Sequence, residues 1–217
     1  MLDVPVYNMQ GEQTGTLQVD AALLGGEVRP KLLHQAIVMY EANARQGSAA
    51  TKNKSMVAGS TRKLYKQKGT GNARVGQIRT PQRRGGGRAF RKGLTVFERG
   101  MNKKMRRLAR DNAILAKITS QDALVIDGLS FSEPKTKPFA AMLTAVGASR
   151  GAVVALEERN NVIYRSGRNI PKTDILAVNE LNAYDILRRR KLIFTRPAWD
   201  HLVGALPPKR ASAKAGA

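Results

Sequence analysis

The sequence Lys66-Gln-Lys-Gly-Thr-Gly-Asn-Ala-Arg74 lies at the centre of a strongly cationic stretch that runs from Arg45 to Arg110. These 66 residues contain 20 Lys or Arg and a single acid, Glu98, so they carry +19 of the chain's formal charge of +22. The other 151 residues hold 18 bases and 15 acids and are close to neutral. The composition predicts an ordinary domain with one highly cationic insertion.

The insertion, residues 47–99, shows neither helical nor strand periodicity over a useful length. It contains few large apolar side chains, so it cannot build a core of its own. Because long structureless loops are uncommon inside compact domains, we expect an arm that becomes ordered on its partner. Its 53 residues, running out and back, could reach about 80 Å at ~3.3 Å per residue.

A sequence pI near 11.0 indicates a polyanionic partner. A membrane surface would favour an amphipathic basic helix, and the many glycines of the arm disfavour a long helix. Nucleic acid is therefore favoured, since Arg and Lys neutralise phosphates and glycine permits close backbone approach. Tyr65, Phe90 and Phe97 could stack on unpaired bases, each stack worth about 1–3 kcal/mol, or pack locally within the arm; the sequence leaves both open.

On either side of the arm, short apolar strands alternate with helices, which predicts an α/β fold with a mostly parallel central sheet flanked by helices. We predict one discontinuous domain over 1–46 and 100–206, and a disordered basic tail over 207–217. The predicted strands are 3–8, 15–19, 123–126, 152–156, 175–178 and 191–195. The predicted helices are 30–45, 102–119 with Asn102 as its N-cap, 136–146, 183–188 and 197–206, while 159–169 is predicted to be irregular.

Two helices carry predictions about their faces. Spacings of three and four residues in helix 30–45 predict a buried stripe of Leu33, Ile37, Tyr40 and Ala44. His34 lies beside that stripe and is expected to be a packed or hydrogen-bonded structural histidine. The apolar side predicted for helix 102–119 consists of Met105, Leu108, Ala109, Leu115 and Ala116. Its charged side directly continues the arm, so phosphate contact is expected there: Lys103, Arg106, Arg107, Arg110 and Lys117.

Nothing in the sequence indicates catalysis. The absence of cysteine excludes disulfides, cysteine zinc sites and thiol chemistry. Gly69-Thr-Gly71 lacks a dinucleotide fingerprint, because the sixth position is Arg74. The two histidines, His34 and His201, lie in separate predicted helices without metal-ligand spacing. No apolar run approaches the ~18 residues of a membrane span. We expect a soluble, cytoplasmic protein that is not an enzyme and has no cofactor and no metal.

The arm and its flanks resemble a known family. The run from Lys66 to Gly76, followed by Pro81 and Gly85-Gly-Gly87, is similar to the signature of bacterial large-subunit ribosomal protein L four. The resemblance covers residues 1–206, although Leu64-Tyr65 replaces the family's common Pro-Trp, which implies a less rigid approach to the arm's tip. Further matching segments are Leu33-His-Gln35 with Tyr40, Arg45-Gln-Gly47, Asn102-Lys-Lys-Met105 and Pro134-Lys-Thr-Lys137.

The resemblance implies a structural constituent of the large ribosomal subunit that supports subunit assembly, with a loop buried in rRNA. The implied partners are large-subunit (23S) rRNA, other large-subunit ribosomal proteins and the nascent peptide, with no membrane partner. An extra-ribosomal RNA-binding regulator or chaperone, and an α/β enzyme with a nucleic-acid-anchoring arm, are the alternatives. The tip that would line the peptide exit tunnel consists of Lys66, Gln67, Lys68, Gly69, Thr70 and Gly71.

Charge and the resemblance together predict a set of rRNA-binding residues in the arm and at the start of the following helix. The set is Arg45, Lys52, Lys54, Arg62, Lys63, Tyr65, Lys66, Lys68, Arg74, Arg79, Arg83, Arg84, Arg88, Arg91, Lys92, Lys103, Arg106, Arg107 and Arg110.

Overall fold

The computed structural model describes residues 1–205, which fall into two units. The globular unit is formed by residues 1–40 and 100–205, and the arm unit by residues 41–99. The predicted tail, 207–217, lies outside the described residues. Each unit has its own set of internal contacts.

The globular unit is built on one six-stranded sheet. Its strands are β1 Leu2–Tyr7, β2 Gln13–Val19, β3 Ala123–Ile126, β4 Ala152–Leu156, β5 Thr173–Ala177 and β6 Lys191–Thr195. The strand order is β2-β1-β3-β6-β4-β5, and only the β1–β2 pair is antiparallel. The predicted α/β fold with a mostly parallel sheet is confirmed. The helices are α1 Pro30–Ala44, α2 Lys103–Thr119, α3 Thr136–Ala145, α4 Asn161–Gly167, α5 Ala183–Arg188 and α6 Arg196–Ala205.

Helices cover both faces of the sheet, which explains why β3 and β4 are buried at every position. Successive strand residues point to opposite faces, so Leu124 and Ile126 pack with Phe139 of α3. Val125 packs on the other face with Ile114 of α2. A strand buried on both faces must be a continuous apolar run, and this is why these two strands were predicted with correct bounds.

The buried face of α1 differs from the predicted stripe. Leu33 is buried as predicted, but the other buried positions are Ala36 and Met39, and Ala44 is exposed. Both 33-36-39 and 33-37-40 fit helical spacing, so the choice depends on what the helix packs against. His34 is exposed, so the prediction of a packed or hydrogen-bonded histidine is wrong.

The second half of α2 is buried nearly all round, because it packs against β1, β3 and α5. Of the predicted apolar side, Ala109 and Leu115 are buried, whereas Met105, Leu108 and Ala116 are half-buried. The further buried positions are Asp111, Asn112, Ala113, Ile114 and Ile118. A two-sided helical wheel does not anticipate a helix enclosed on several sides.

Helix α4 occupies a region predicted to be irregular from its glycine and asparagine content. The Asn160 side chain starts the helix by accepting hydrogen bonds from the amides of Val162 at 2.9 Å and Ile163 at 3.3 Å. This is a regular N-cap, and Ile163 then inserts into the core. Capping and one buried isoleucine outweigh the poor helical composition.

Asn112 in α2 links segments that are far apart in sequence. The side chain is fully buried; its Nδ2 donates to the Leu24 carbonyl at 3.0 Å and its Oδ1 accepts from the Arg29 amide at 3.0 Å. Asn112→Ala leaves both backbone groups unpaired, so we expect a loss of about 3 kcal/mol in the free energy of unfolding. Urea denaturation measures this loss.

Asn102→Ala is the matched control, because the Asn102 side chain makes no capping hydrogen bond at the start of α2. Its expected cost is within about 0.5 kcal/mol. Equal destabilisation by both substitutions would contradict the role given to Asn112.

Candidate nucleic-acid interface

The arm unit buries almost none of its side chains. Between residues 47 and 99 only Gly87 is buried, so the arm's 14 Lys and Arg have no core to shelter them. Arg79 is half-buried, and every other predicted rRNA-binding cation of the arm unit is exposed. These exposed cations are Arg45, Lys52, Lys54, Arg62, Lys63, Lys66, Lys68, Arg74, Arg83, Arg84, Arg88, Arg91 and Lys92.

Backbone hydrogen bonds hold the outgoing and returning segments of the arm side by side. The Thr51 amide donates to the Lys92 carbonyl and the Arg88 amide to the Lys52 carbonyl, each at 2.9 Å. Gly87 lies at this contact, because a Cβ there would be 2.2 Å from the Lys54 nitrogen. The two segments therefore approach more closely than any other residue type would permit at this position.

Near its base, the arm unit is closed by a pair of hydrogen bonds that the sequence did not reveal. Asn43 Oδ1 accepts from the Arg99 amide at 2.7 Å, and Asn43 Nδ2 donates to the Arg99 carbonyl at 3.2 Å. Beside them the Arg45 guanidinium lies 3.6 Å from the centroid of the Phe97 ring. The Phe97 ring therefore has a contact within the arm unit. Asn43 and Arg99 are 56 residues apart, so no local pattern identifies the pair.

The structure brings the predicted tip together in one loop. An isolated antiparallel bridge joins Lys63 to Gln77, and the Leu64 amide donates to the Gly76 carbonyl at 3.1 Å. The tip lies between them, with Gly69 and Gly71 at φ values of 79° and 70°. Both φ values are in the left-handed region that favours glycine. All six tip residues except the half-buried Thr70 are exposed.

The three arm aromatics divide into two groups. The Tyr65 hydroxyl donates to the Ala73 carbonyl across the tip loop, so this residue, like Phe97, has a local role. Phe90 is 99% exposed and presents its whole ring to solvent. Phe90 is therefore the arm aromatic most open to stacking on an unpaired base.

Arg79 differs from the other cations of the arm. Its Nη1 donates to the Val57 carbonyl at 3.0 Å, and its Nε is buried without a hydrogen-bond partner among the described residues. The guanidinium thus links two segments of the arm that are 22 positions apart. Its contribution to the shape of the arm is additional to the phosphate contact predicted for it.

The predicted charged side of α2 divides into exposed and engaged cations. Lys103, Arg106 and Arg107 are exposed. Arg110 Nη2 lies 2.8 Å from Asp111 Oδ1; burial raises the pKa of the Asp111 carboxyl, and the Arg110 guanidinium opposes that rise. Lys117 donates to the carbonyls of residues 189 and 190 at 2.7 and 2.8 Å. Lys117 therefore stabilises the globular unit, which differs from the phosphate contact predicted for it.

Residues 1–205 contain neither a metal-binding cluster nor a membrane-spanning helix. Within residues 1–205, no three His, Asp or Glu side chains are grouped so that they could hold a metal ion. No helix in the same range is long and apolar enough to cross a membrane.

These features define a class of protein: an α/β domain with an inserted, solvent-exposed polycationic arm. The chain belongs to the Ribosomal protein L4/L1 family, whose sequence model matches residues 17–205. The family resemblance seen in the sequence is thereby confirmed.

Relatives at about 40% identity cover nearly the whole chain. A protein of Lachnospira eligens named large ribosomal subunit protein uL4 is 39% identical over 202 residues, 93% of this chain and 98% of that protein. Proteins with the same name from Symbiobacterium thermophilum and Pelotomaculum thermopropionicum are 41% and 42% identical over 198 residues, in each case 91% of this chain and 96% of the relative.

Proposed function

We propose that this protein is a structural constituent of the large ribosomal subunit and that it binds large-subunit rRNA through its arm. The observation that carries the proposal is the exposure of the arm, where Gly87 is the one buried residue between 47 and 99. A segment with so many unpaired cations and so little apolar burial is stabilised by a polyanion that neutralises it. The names of the relatives point to the same subunit.

In this proposal the arm acts as a counter-ion and spacer during subunit assembly. Its arginines neutralise phosphates of neighbouring rRNA segments that would otherwise repel one another, and their planar guanidinium groups make bidentate contacts. Phe90 adds a stacking surface for an unpaired base. The exposed cations at the start of α2, Lys103, Arg106 and Arg107, bind further phosphates. Other large-subunit ribosomal proteins are neighbours of the globular domain in the cytoplasmic ribosome.

The tip loop lines the peptide exit tunnel and faces the nascent peptide, as the family resemblance implies. The bridge between Lys63 and Gln77 supports this role, because it closes the loop behind the tip. The hydrogen bond from the Tyr65 hydroxyl to the Ala73 carbonyl is a second link across the loop. Tyr65 therefore restrains the loop at one of the two positions where the family commonly has Pro-Trp.

Sucrose-gradient fractionation of cells at moderate and then high salt, followed by blotting for this chain, tests the proposed function. We expect the chain to sediment with large subunits and to remain there at high salt, since an interleaved arm is released only when the rRNA unfolds. Free sedimentation, or release at modest salt, would refute the ribosomal placement. Recovery with one defined transcript off the ribosome would instead support an RNA-binding regulator.

A further inference from the structure

The topology of the sheet opens a cleft at the carboxyl ends of three strands. Strand β6 lies between β3 and β4. The helices that follow β3 and β4 pack on one face, while α6, which follows β6, packs on the other. The connections therefore diverge above the sheet. In parallel α/β sheets, such a crevice is where ligands generally bind.

The cleft has a volume of about 830 Å³ and combines an apolar floor with an acidic rim. The accessible part of the floor is lined by the half-buried Leu129 and Val162 and the exposed Pro197, together with the buried Ile126 and Leu156. The rim carries Asp127 and the adjacent pair Glu157-Glu158, all exposed. An occupant must therefore present apolar groups to the floor and compensate negative charge at the rim.

The uncompensated charge of the cleft is negative. Asp127, Glu157 and Glu158 form no ion pair within the described part of the chain. Of the two arginines of the cleft, Arg196 is paired, with its Nε 3.5 Å from Asp200 Oδ2. Arg159 keeps its positive charge, because its guanidinium lies 5.2 Å from the centroid of the neutral Tyr164 ring, so three carboxylates outnumber one unpaired arginine. The rim would therefore repel phosphates, on a chain whose formal charge is +22.

We propose that this cleft is a docking site for a cationic segment of a partner protein, in which Lys or Arg alternate with apolar side chains. The apolar residues pack on the floor and the cations pair with the rim carboxylates. Charge complementarity selects a basic protein segment over RNA, and the apolar floor selects a peptide over a small ion. The proposal goes beyond rRNA binding, because it concerns a surface of the globular unit that is formed without the arm.

The test uses the purified full chain and a fluorescent peptide of alternating Arg and Leu, with binding followed by anisotropy. We compare Asp127→Asn/Glu157→Gln/Glu158→Gln with Asp3→Asn/Glu27→Gln/Glu41→Gln, which removes three exposed acids outside the cleft. Both variants increase the general repulsion of the peptide equally. We expect the rim variant to weaken binding by about tenfold, from three surface ion pairs, and the control to remain within about twofold.

Equal weakening by both variants, or no binding to the natural chain, would overturn the proposal. A benzophenone on the peptide adds a positional measurement: cross-links at 126–130, 156–163 or 195–197 are expected, and cross-links confined elsewhere would refute the site. If a chain ending at residue 206 bound the peptide markedly more tightly than the full chain, residues 207–217 would be the occupant and a partner protein would not. No RNA is present, so these outcomes are independent of the gradient experiment.

Discussion

Replacing six exposed arm cations by glutamine is expected to lower the affinity of the full chain for large-subunit rRNA by about a thousandfold at 0.15 M salt. Each phosphate contact releases counterions from the RNA, and fewer are released when six contacts are lost. The slope of log affinity against log salt concentration should therefore become shallower by about 5. The six residues are exposed, and none of their side chains forms a hydrogen bond or ion pair within the described residues 1–205: Lys66, Lys68, Arg74, Arg83, Arg84 and Arg88.

Filter binding to an rRNA transcript over a range of salt concentrations measures both quantities. The charge-matched control neutralises six exposed cations of the globular unit: Lys31, Lys135, Lys137, Arg159, Arg165 and Arg168. We expect this control to shift affinity by less than about tenfold, since it changes net charge without removing arm contacts. If both variants lost affinity alike, net charge alone would explain binding, and the arm would not be the interface.

Gly87→Ala is expected to weaken rRNA binding by about 10- to 100-fold, although it removes no charge. A Cβ at this position would lie 2.2 Å from the Lys54 nitrogen and 2.3 Å from the Asn53 carbonyl carbon. Both neighbours are backbone atoms, so the two arm segments must separate, and the hydrogen bond between residues 88 and 52 would break. Such overpacking costs about 1–3 kcal/mol, which corresponds to that loss of affinity.

The same filter-binding measurement tests this prediction, with Gly93→Ala as the control. A Cβ added at Gly93 would have no neighbouring atom within 4 Å, and the φ of Gly93 is not in the left-handed region. The rRNA affinity of Gly93→Ala should therefore be unchanged within about twofold. Urea unfolding of the globular unit should be unaffected by either substitution, because the atoms nearest to Gly87 belong to the arm residues Asn53 and Lys54 and Gly93 has none within 4 Å. Unchanged rRNA affinity in Gly87→Ala would show that the close approach of the two segments is dispensable.

Much of the fold was predictable because the signals are local. The bounds of β3, β4, α5 and β6 agree with the predicted ranges, since apolar runs and helical spacing reflect the burial of neighbouring residues in the chain. The arm was predictable for a related reason. Net charge and the lack of apolar groups are properties of composition, and a segment without apolar groups has no core to form.

The errors arose where burial depends on partners elsewhere in the fold. Leu33 fits two helical stripes, and packing selected the one that continues through Ala36 and Met39. His34 was consequently left exposed. Helix α4 was missed because a cap and one buried isoleucine outweigh its glycine and asparagine content.

By itself, the sequence determined the α/β class, the cationic arm and the family, since each depends on residues that are neighbours in the chain. Only the tertiary structure decided the partners of Asn112, which are 83 and 88 positions away, and the closure of the arm by Asn43, across 56 positions. The cleft at the ends of β3, β6 and β4 was also decided by the tertiary structure, because no single segment of the sequence determines the order of the strands in the sheet. Contacts between distant residues depend on how the whole chain minimises its exposed apolar surface and its unpaired polar groups.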